Sequence, residues 1–471
     1  MENIHNSAIH SLPPKILTAV ASHLGDDKSL VFATHVCHFW RSTLISSPRL
    51  WSRLTFRNAR RALVFLERSG SAPVSVDIRR KCELLVTESL KRITRRLMTL
   101  RAVDVSFLDE LLIEPLPTLR NLDIVTSEGF PSIMTLATTT PCHPLFHAPN
   151  LTNFRFRLRP PQRFVETPEV EDRLLNFLQH CPMLEVVFLG YDDTHTGSGS
   201  ITNKASTRVV SLPHLRSFTH ESPADTIHTT LFNRLSLPPT CDIAFAVTDL
   251  LLSNDPWDRT FPALFHLSYL SDVKVVRIIF VPQCEGSRMV KVVLIDSRNI
   301  KVSFNRLPPP AHCAYTLSVI NKFLEFLASS QLARSVETLY FERCQSTLPR
   351  DYRSLNLAGS LLKLKNLKTI AFQRCNSALF LKGPSPPGTW CPCVKNLEVS
   401  LPLRAPWEGT ESDVLELVRD IADSRMKCGN PLTTVTLSCQ RAEKLLETCG
   451  GLIERLRSCA EVKLVEVASS V

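Results

Sequence analysis

The sequence predicts a mixed α/β protein: three short N-terminal helices, then a long array with parallel strands on a concave side and helices on a convex side. A recurring hexad, apolar-x-x-apolar-x-apolar, carries much of this reading. It stands as "LRNLDI" from Leu119, "LTNFRF" from Leu151, "LEVVFL" from Leu184, "VETLYF" from Val336 and "LKTIAF" from Leu367, among further copies. Spacing is the second observation: 32 residues separate Leu119 from Leu151, 33 separate Leu151 from Leu184, and 31 separate Val336 from Leu367. A period in this range is the mark of a solenoid. Third, amphipathic stretches such as "EDRLLNFLQHCPML" and "ESDVLELVRDIADSRM" lie between hexads. One strand–helix unit buries too little by itself, and stacking on its neighbours completes the core.

The N-terminal helices come first. In "SLPPKILTAVASHL" two prolines stand where a helix begins, a place where a missing N–H costs little. Ile16, Leu17, Val20, Ala21 and Leu24 then share one helical face. "GDD" breaks that helix, and "KSLVFATHVCHFW" supplies a second and a third. At about 100° per residue, Val36, Cys37, Trp40 and Leu44 fall on one face and His35 and His38 on another. The two histidines and Cys37 therefore do not converge on one ion, and no fourth ligand is near, so no metal site is expected. A unit of this size rarely buries enough apolar surface alone, and its stripes need something to dock on.

These residues resemble an F-box. The resemblance rests on Leu12-Pro13-x-x-Ile16-Leu17, Leu24, Leu30, Val36-Cys37-x-x-Trp40, Leu44 and "SPRLWSRL". One departure is Lys15, where the family usually carries an acid. The resemblance implies docking onto the Skp-type adaptor of an SCF cullin–RING ubiquitin ligase. The adaptor-binding positions would be Leu12, Pro13, Ile16, Leu17, Leu24, Leu30, Val36, Cys37, Trp40 and Leu44.

The body resembles a divergent leucine-rich-repeat array. Its best copies, "VETLYFERC" and "LKTIAFQRC", end in Cys344 and Cys375, where such repeats carry an inward Asn or Cys. Together with "APNLTNF" and "LPHLRSF", the whole is similar to the F-box-like proteins abundant in mushroom-forming fungi. The expected domains are residues 1–48 and 49–471, the latter with room for two blocks divided near 238–313. "AEKLLETCGGLIERLRSCAEVKLVEV" is expected to cap the C-terminal end.

Composition narrows the function classes. Hydrophobic residues make up 44% and charged residues 21%, which argues against general disorder. No apolar run reaches the roughly 18 residues of a membrane span, and no signal peptide is evident. With no CxxC pair, the 15 cysteines are expected to be reduced and mostly buried, in a cytoplasmic or nuclear protein. Nearly all of the net charge of +10 comes from 53–101, with thirteen Lys and Arg against four acids. Such a patch can attract nucleic acid, but only Phe56 and Phe65 interleave it, too few for stacking readout.

No P-loop, G-x-S-x-G elbow, H-E-x-x-H pair or calcium loop is present, so no catalytic residue and no cofactor is expected. What remains is a non-catalytic ligase subunit that recruits a protein substrate. An interaction scaffold without adaptor binding is the alternative, and a nucleic-acid binder the third. Arg155, Phe188 and Tyr340 stand between the apolar strand positions and are the candidate substrate contacts.

Overall fold

The computed structural model describes residues 12–24, 26–56, 58–78, 84–103, 115–126, 148–158, 168–191, 209–222, 231, 234–238, 240–247, 272–282, 288–297, 301–306, 320, 323–342, 357–373, 392–401 and 410–467. The chain divides into two compact units. One comprises Met1–Arg216 with Arg234–Pro238, the other Ser217–Asn233 with Pro239–Val471.

The first unit begins with helices α1 (Pro14–Ser22), α2 (Asp27–Ala33) and α3 (His38–Ile45). Pro14 opens α1, where its missing N–H is no loss. Asp26 caps α2 by accepting from the amides of Lys28 and Ser29 at 2.7 and 2.9 Å. Those bonds, with the Ser29 hydroxyl foremost, hold the Asp26 carboxyl below its ordinary range. Leu17 and Ala21 of α1, Leu30 and Ala33 of α2, and Leu44 of α3 are buried.

A 3-10 turn, Pro48–Trp51, leads into β1 (Arg53–Thr55) and α4 (Ala59–Arg68). Trp51 is fully buried here, its indole N–H donating to the Leu44 carbonyl at 2.8 Å. Its ring meets Phe65 of α4 edge-on, with centroids 4.8 Å apart. One side chain thus ties the end of α3 to the first strand–helix unit.

Next come β2 (Val74–Ile78), α5 (Leu84–Lys91), β3 (Leu97–Val103), β4 (Asn121–Thr126), β5 (Asn153–Leu158), α6 (Pro168–Gln179) and β6 (Val186–Tyr191). Strands β1 to β6 pair in sequence order, and every neighbouring pair is parallel. Two short strands, β7 (Val210–Ser211) and β9 (Leu235–Ser236), pair separately; β8 (Ser217–Ser222), between them in sequence, belongs to the second unit.

The second unit also holds β10 (Asp242–Val247), β11 (Val273–Pro282), β12 (Arg288–Asp296), β13 (Lys301–Arg306), β14 (Thr338–Glu342), α7 (Leu357–Leu361), β15 (Thr369–Gln373), β16 (Asn396–Ser400), α8 (Glu411–Lys427), β17 (Thr434–Cys439), α9 (Ala442–Arg457) and β18 (Glu461–Glu466). Its strand order is β8-β10-β13-β12-β11-β14-β15-β16-β17-β18. Strands β11 and β14 to β18 pair in parallel, as do β8, β10 and β13. Strand β12 runs antiparallel to both β11 and β13. This corrects the expectation that every hexad is a parallel strand: "VKVVLI" from Val290 runs the other way. Only residues 283–287 separate β11 from β12, too few for the crossover that a parallel pair needs.

Both units reuse one core pattern, set by the hexads. Leu116, Leu119, Leu122 and Ile124 are buried; so are Cys181, Leu184, Val187 and Leu189, and Leu364, Leu367, Ile370 and Phe372. The turns before β4, β5 and β15 close with the same backbone bond: Leu119 to Leu116, Leu151 to Ala148, and Leu367 to Leu364, each N–H to carbonyl at 3.1 Å. The turns before β5 and β15 then bind the preceding turn through two consecutive amides on one carbonyl. Thr152 and Asn153 donate to Arg120, and Lys368 and Thr369 to Glu337, at 2.8 to 3.0 Å. Buried backbone groups need such partners, which fixes these turns. The ring of Phe341 stacks on that of Phe372 at 5.3 Å. Cys344 and Cys375 lie outside the described residues.

A buried cation locks α8 in place. Arg425 is 2% exposed and donates from Nε to the Asn430 carbonyl and from Nη2 to the Pro392 carbonyl, both at 3.1 Å. Just past the end of the helix and its C-cap Cys428 stands Gly429, whose φ of 76° is a left-handed conformation that glycine takes without strain.

Candidate functional site

The N-terminal helices place two kinds of apolar residue side by side. Leu17 is 0% exposed, whereas its neighbour Ile16 is 50% exposed and Val20, one turn on, also 50%. On α2, Leu30 is buried while Phe32 is 69% exposed; Val36, in the turn after α2, is 55% exposed. Ile16 and Val20 stand four residues apart on α1 and share a face. Single exposed apolar residues are ordinary on protein surfaces. Four large ones within some twenty residues are not, and they concentrate in a part of the chain with little core of its own.

The ten sequence-picked positions therefore separate. Leu17, Leu30 and Leu44 are buried inside the helical unit, where no partner reaches them. Pro13, Ile16 and Val36 are exposed, and Leu12, Leu24, Cys37 and Trp40 are half-buried. Val20 and Phe32 belong to the exposed set, and the site positions drawn from the sequence omit both.

The expected single helical face through Val36, Cys37, Trp40 and Leu44 is also corrected. The helix breaks at Cys37, which takes an extended conformation (φ −159°, ψ 172°) as the N-cap of α3. Its Sγ accepts from the Trp40 amide at 3.5 Å. Val36 thus lies outside the helix that carries Trp40 and Leu44. Among the described residues, no hydrogen-bond partner reaches the buried indole Nε1 of Trp40. His35 and His38 are exposed, and Arg41 Nη2 lies 3.4 Å from His35 Nδ1. Among the described residues, no group of three or more His, Cys, Asp or Glu is placed to hold a metal ion.

Residues 9–57 match the F-box-like family. Domains of this family generally bind Skp-type adaptors, so the chain carries a protein-interaction domain at its N-terminus. The F-box-like domain reaches past the three helices and takes in Trp51, Leu54 and Phe56, all buried. No curated protein matches the chain.

Away from the F-box-like domain, the candidate substrate contacts sit on strands. Arg155 of β5 and Phe188 of β6 are register partners in the first unit, Arg155 exposed and Phe188 half-buried. Tyr340 of β14 is in the second unit, where the Arg277 guanidinium lies 4.8 Å from its ring centroid. Partial burial pushes the Tyr340 hydroxyl above its ordinary pKa.

The basic stretch 53–101 is partly consumed within the fold. Arg68 lies over Trp51 at 4.6 Å, and Arg101 Nε pairs with Asp123 at 3.3 Å. Arg96 Nη1 donates to the Ser69 hydroxyl and the Ala72 carbonyl at 2.9 and 3.1 Å. Arg53, Arg60, Arg92 and Arg95 remain exposed. Among the described cysteines, Cys181, Cys241, Cys439 and Cys449 are buried, but Cys393 and Cys428 are exposed. The expectation of mostly buried thiols thus holds for only part of this set. Burial pushes the Cys181 and Cys241 thiols up to about 12. No helix among the described residues is long and apolar enough to cross a membrane.

Proposed function

We propose that the chain is the substrate-recognition subunit of an SCF-type cullin–RING ubiquitin ligase. Its F-box-like domain docks on a Skp-type adaptor, and its strand–helix body is a leucine-rich-repeat-like solenoid that holds a target protein. The observation that carries this is the exposed set Ile16, Val20, Phe32 and Val36 within the matched residues 9–57. Burying four such side chains against a partner is worth several kcal/mol at about 25 cal/mol per Å² of apolar surface. The solenoid reading rests on the recurring buried tetrads and on the shared turn bond.

In this reading the chain performs no chemistry. It holds a target at a fixed distance from a conjugating enzyme, raising the effective concentration of acceptor lysines at the activated thioester. Lys15 is exposed on α1, so the exchange of acid for base there alters the rim of the docking face and not its core. The experiment is capture of a purified Skp-type adaptor by the full chain, wild type and truncated of residues 1–57. Loss of capture on truncation, with the body still folded by circular dichroism, supports the proposal; capture by the truncated chain refutes it.

A further inference from the structure

We propose that a groove across the N-terminal ends of β2 to β6 binds an extended segment of the target protein in which an acidic residue lies between two apolar ones. This rests on the reading of the body as the target-binding part and names the chemistry of the target. The groove has a volume of about 470 Å³. Five neighbouring strands contribute to it: Pro73 stands just before β2, Met98 at the start of β3, Pro117 and Arg120 before β4, Asn150 and Thr152 before β5, and Met183 before β6.

Its length says what kind of ligand fits. Strands β2 to β6 are successive neighbours. Adjacent strands lie about 4.8 Å apart, so the groove runs for roughly 19 Å, which an extended chain crosses in about six residues. The walls are apolar and open. Pro73 and Pro117 are exposed, Met183 is 43% exposed and Met98 is half-buried. Thioether side chains are unbranched and adapt to the apolar group that meets them.

The polar groups of the floor are already bonded. The Thr118 hydroxyl is shared between the Arg95 and Leu97 carbonyls, 3.0 Å from each. Asn150 Nδ2 donates to the Pro117 carbonyl at 2.7 Å, and the Thr152 hydroxyl to the Arg120 carbonyl at 3.2 Å. The backbone is committed as well: the Arg120 amide donates to the Met98 carbonyl, and the amides of Thr152 and Asn153 donate to the Arg120 carbonyl, all at 2.9 Å.

The Arg120 side chain is the exception. It is exposed and has no ion pair among the described residues. Acids on the same elements are engaged by other cations, Asp123 of β4 by Arg101 at 3.3 Å and Glu185 before β6 by Arg216 at 3.8 Å. An uncommitted cation between apolar walls is the complement of a carboxylate between apolar side chains. Guanidinium groups bind carboxylates through paired, charge-assisted hydrogen bonds. Arg120 belongs to the third of the five strands, so the acid falls near the middle of the segment. Its apolar neighbours then fall toward Pro73 and Met98 at one end and Met183 at the other.

The test uses the full chain and fluorescein-labelled heptapeptides read by fluorescence anisotropy. The parent peptide carries leucine at its second and sixth positions, glutamate at its fourth and serine elsewhere. One variant has glutamine in place of the glutamate, and another has serine in place of both leucines. The parent is expected to bind more tightly than either, about tenfold more tightly than the glutamine peptide. Arg120→Gln is expected to remove that tenfold advantage and to leave the glutamine peptide unaffected, whereas Met183→Ser is expected to weaken both. Arg60→Gln, an exposed cation on α4, should change nothing. Arg120, Met183 and Arg60 are exposed, so circular dichroism of each variant should match wild type. No binding of the parent peptide, or a loss on Arg120→Gln that is equal for the glutamate and glutamine peptides, would overturn the proposal. So would a dimer of the full chain in sedimentation that Met183→Ser dissociates, since a second copy would then fill the groove. Adaptor capture takes no part in this measurement, so either reading can fail without the other.

Discussion

Apolar residues in the F-box-like domain and in the strand–helix body meet opposite fates. In β14, alternation leaves no choice: Leu339 and Phe341 are 0% exposed, while Thr338, Tyr340 and Glu342 beside them are half-buried. In α1, two apolar neighbours part company, Leu17 inward and Ile16 outward. The body buries most of its described apolar residues in its own core, because each strand–helix unit has neighbours to cover it. The F-box-like domain holds more apolar side chains than three short helices can bury. The surplus on its surface is what an interaction domain needs.

Substitutions that set buried against exposed positions probe this difference. Ile370→Asp has the largest expected effect. It places an unpaired charge among Leu339, Leu367 and Leu397, at a cost on the order of 3–5 kcal/mol. Hydrogen exchange should show protection lost in β14, β15 and β16 and kept in β1 to β3. A uniform loss across the chain would contradict cohesion between neighbours.

A smaller loss separates Leu17 from Ile16. Leu17→Ala removes a fully buried side chain and should destabilise by about 2–5 kcal/mol. Ile16→Ala should stay within about 0.5 kcal/mol of wild type, although it removes more of the docking face. Urea unfolding followed by Trp51 fluorescence reports both, since Trp51 is buried at the junction of α3 and α4.

The buried thiols give a pH dependence of moderate size. Cys181 and Cys241 are protonated in the fold up to about 12, whereas the same thiols in the unfolded chain ionise near 9.0. Stability is therefore unaffected below 9.0 and falls as pH rises from there toward 12. Denaturant midpoints across this range should decline, and Cys181→Ala should decline less steeply. At neutral pH both thiols should resist alkylation while Cys393 and Cys428 react.

The smallest effect is at the surface. Lys368 and, secondly, Lys274 hold Glu337 below its ordinary pKa, so their contribution persists above about 4.5 and fades as pH falls through the depressed value. Glu337→Gln should change stability only slightly, and more salt should shrink the difference further.

Much of this was legible in the residues. The hexads mark the strands because a period of two forces alternate side chains to one side, and the turns follow from backbone groups that need partners. The direction of β12 was not legible in the hexad, since "VKVVRI" and "VKVVLI" carry the same pattern. The short stretch 283–287 between them was the available signal. At the candidate site, a helical wheel drawn through Cys37 joined Val36 to Leu44 across a break that only backbone conformation reveals. Phe32 escaped because Leu30, Val31, Phe32 and Ala33 are all apolar, and periodicity does not say which of four consecutive apolar residues turns outward. Arg155 and Phe188 were individually visible, but their pairing depends on which strand lies beside β5.

Adaptor binding by the full chain, measured calorimetrically with Ile16, Val20, Phe32 and Val36 all changed to Ser, tests the central claim most directly. The expected result is loss of binding to a Skp-type adaptor with the thermal unfolding temperature held close to wild type. Undiminished binding by that variant would contradict the claim that these four side chains form the docking face.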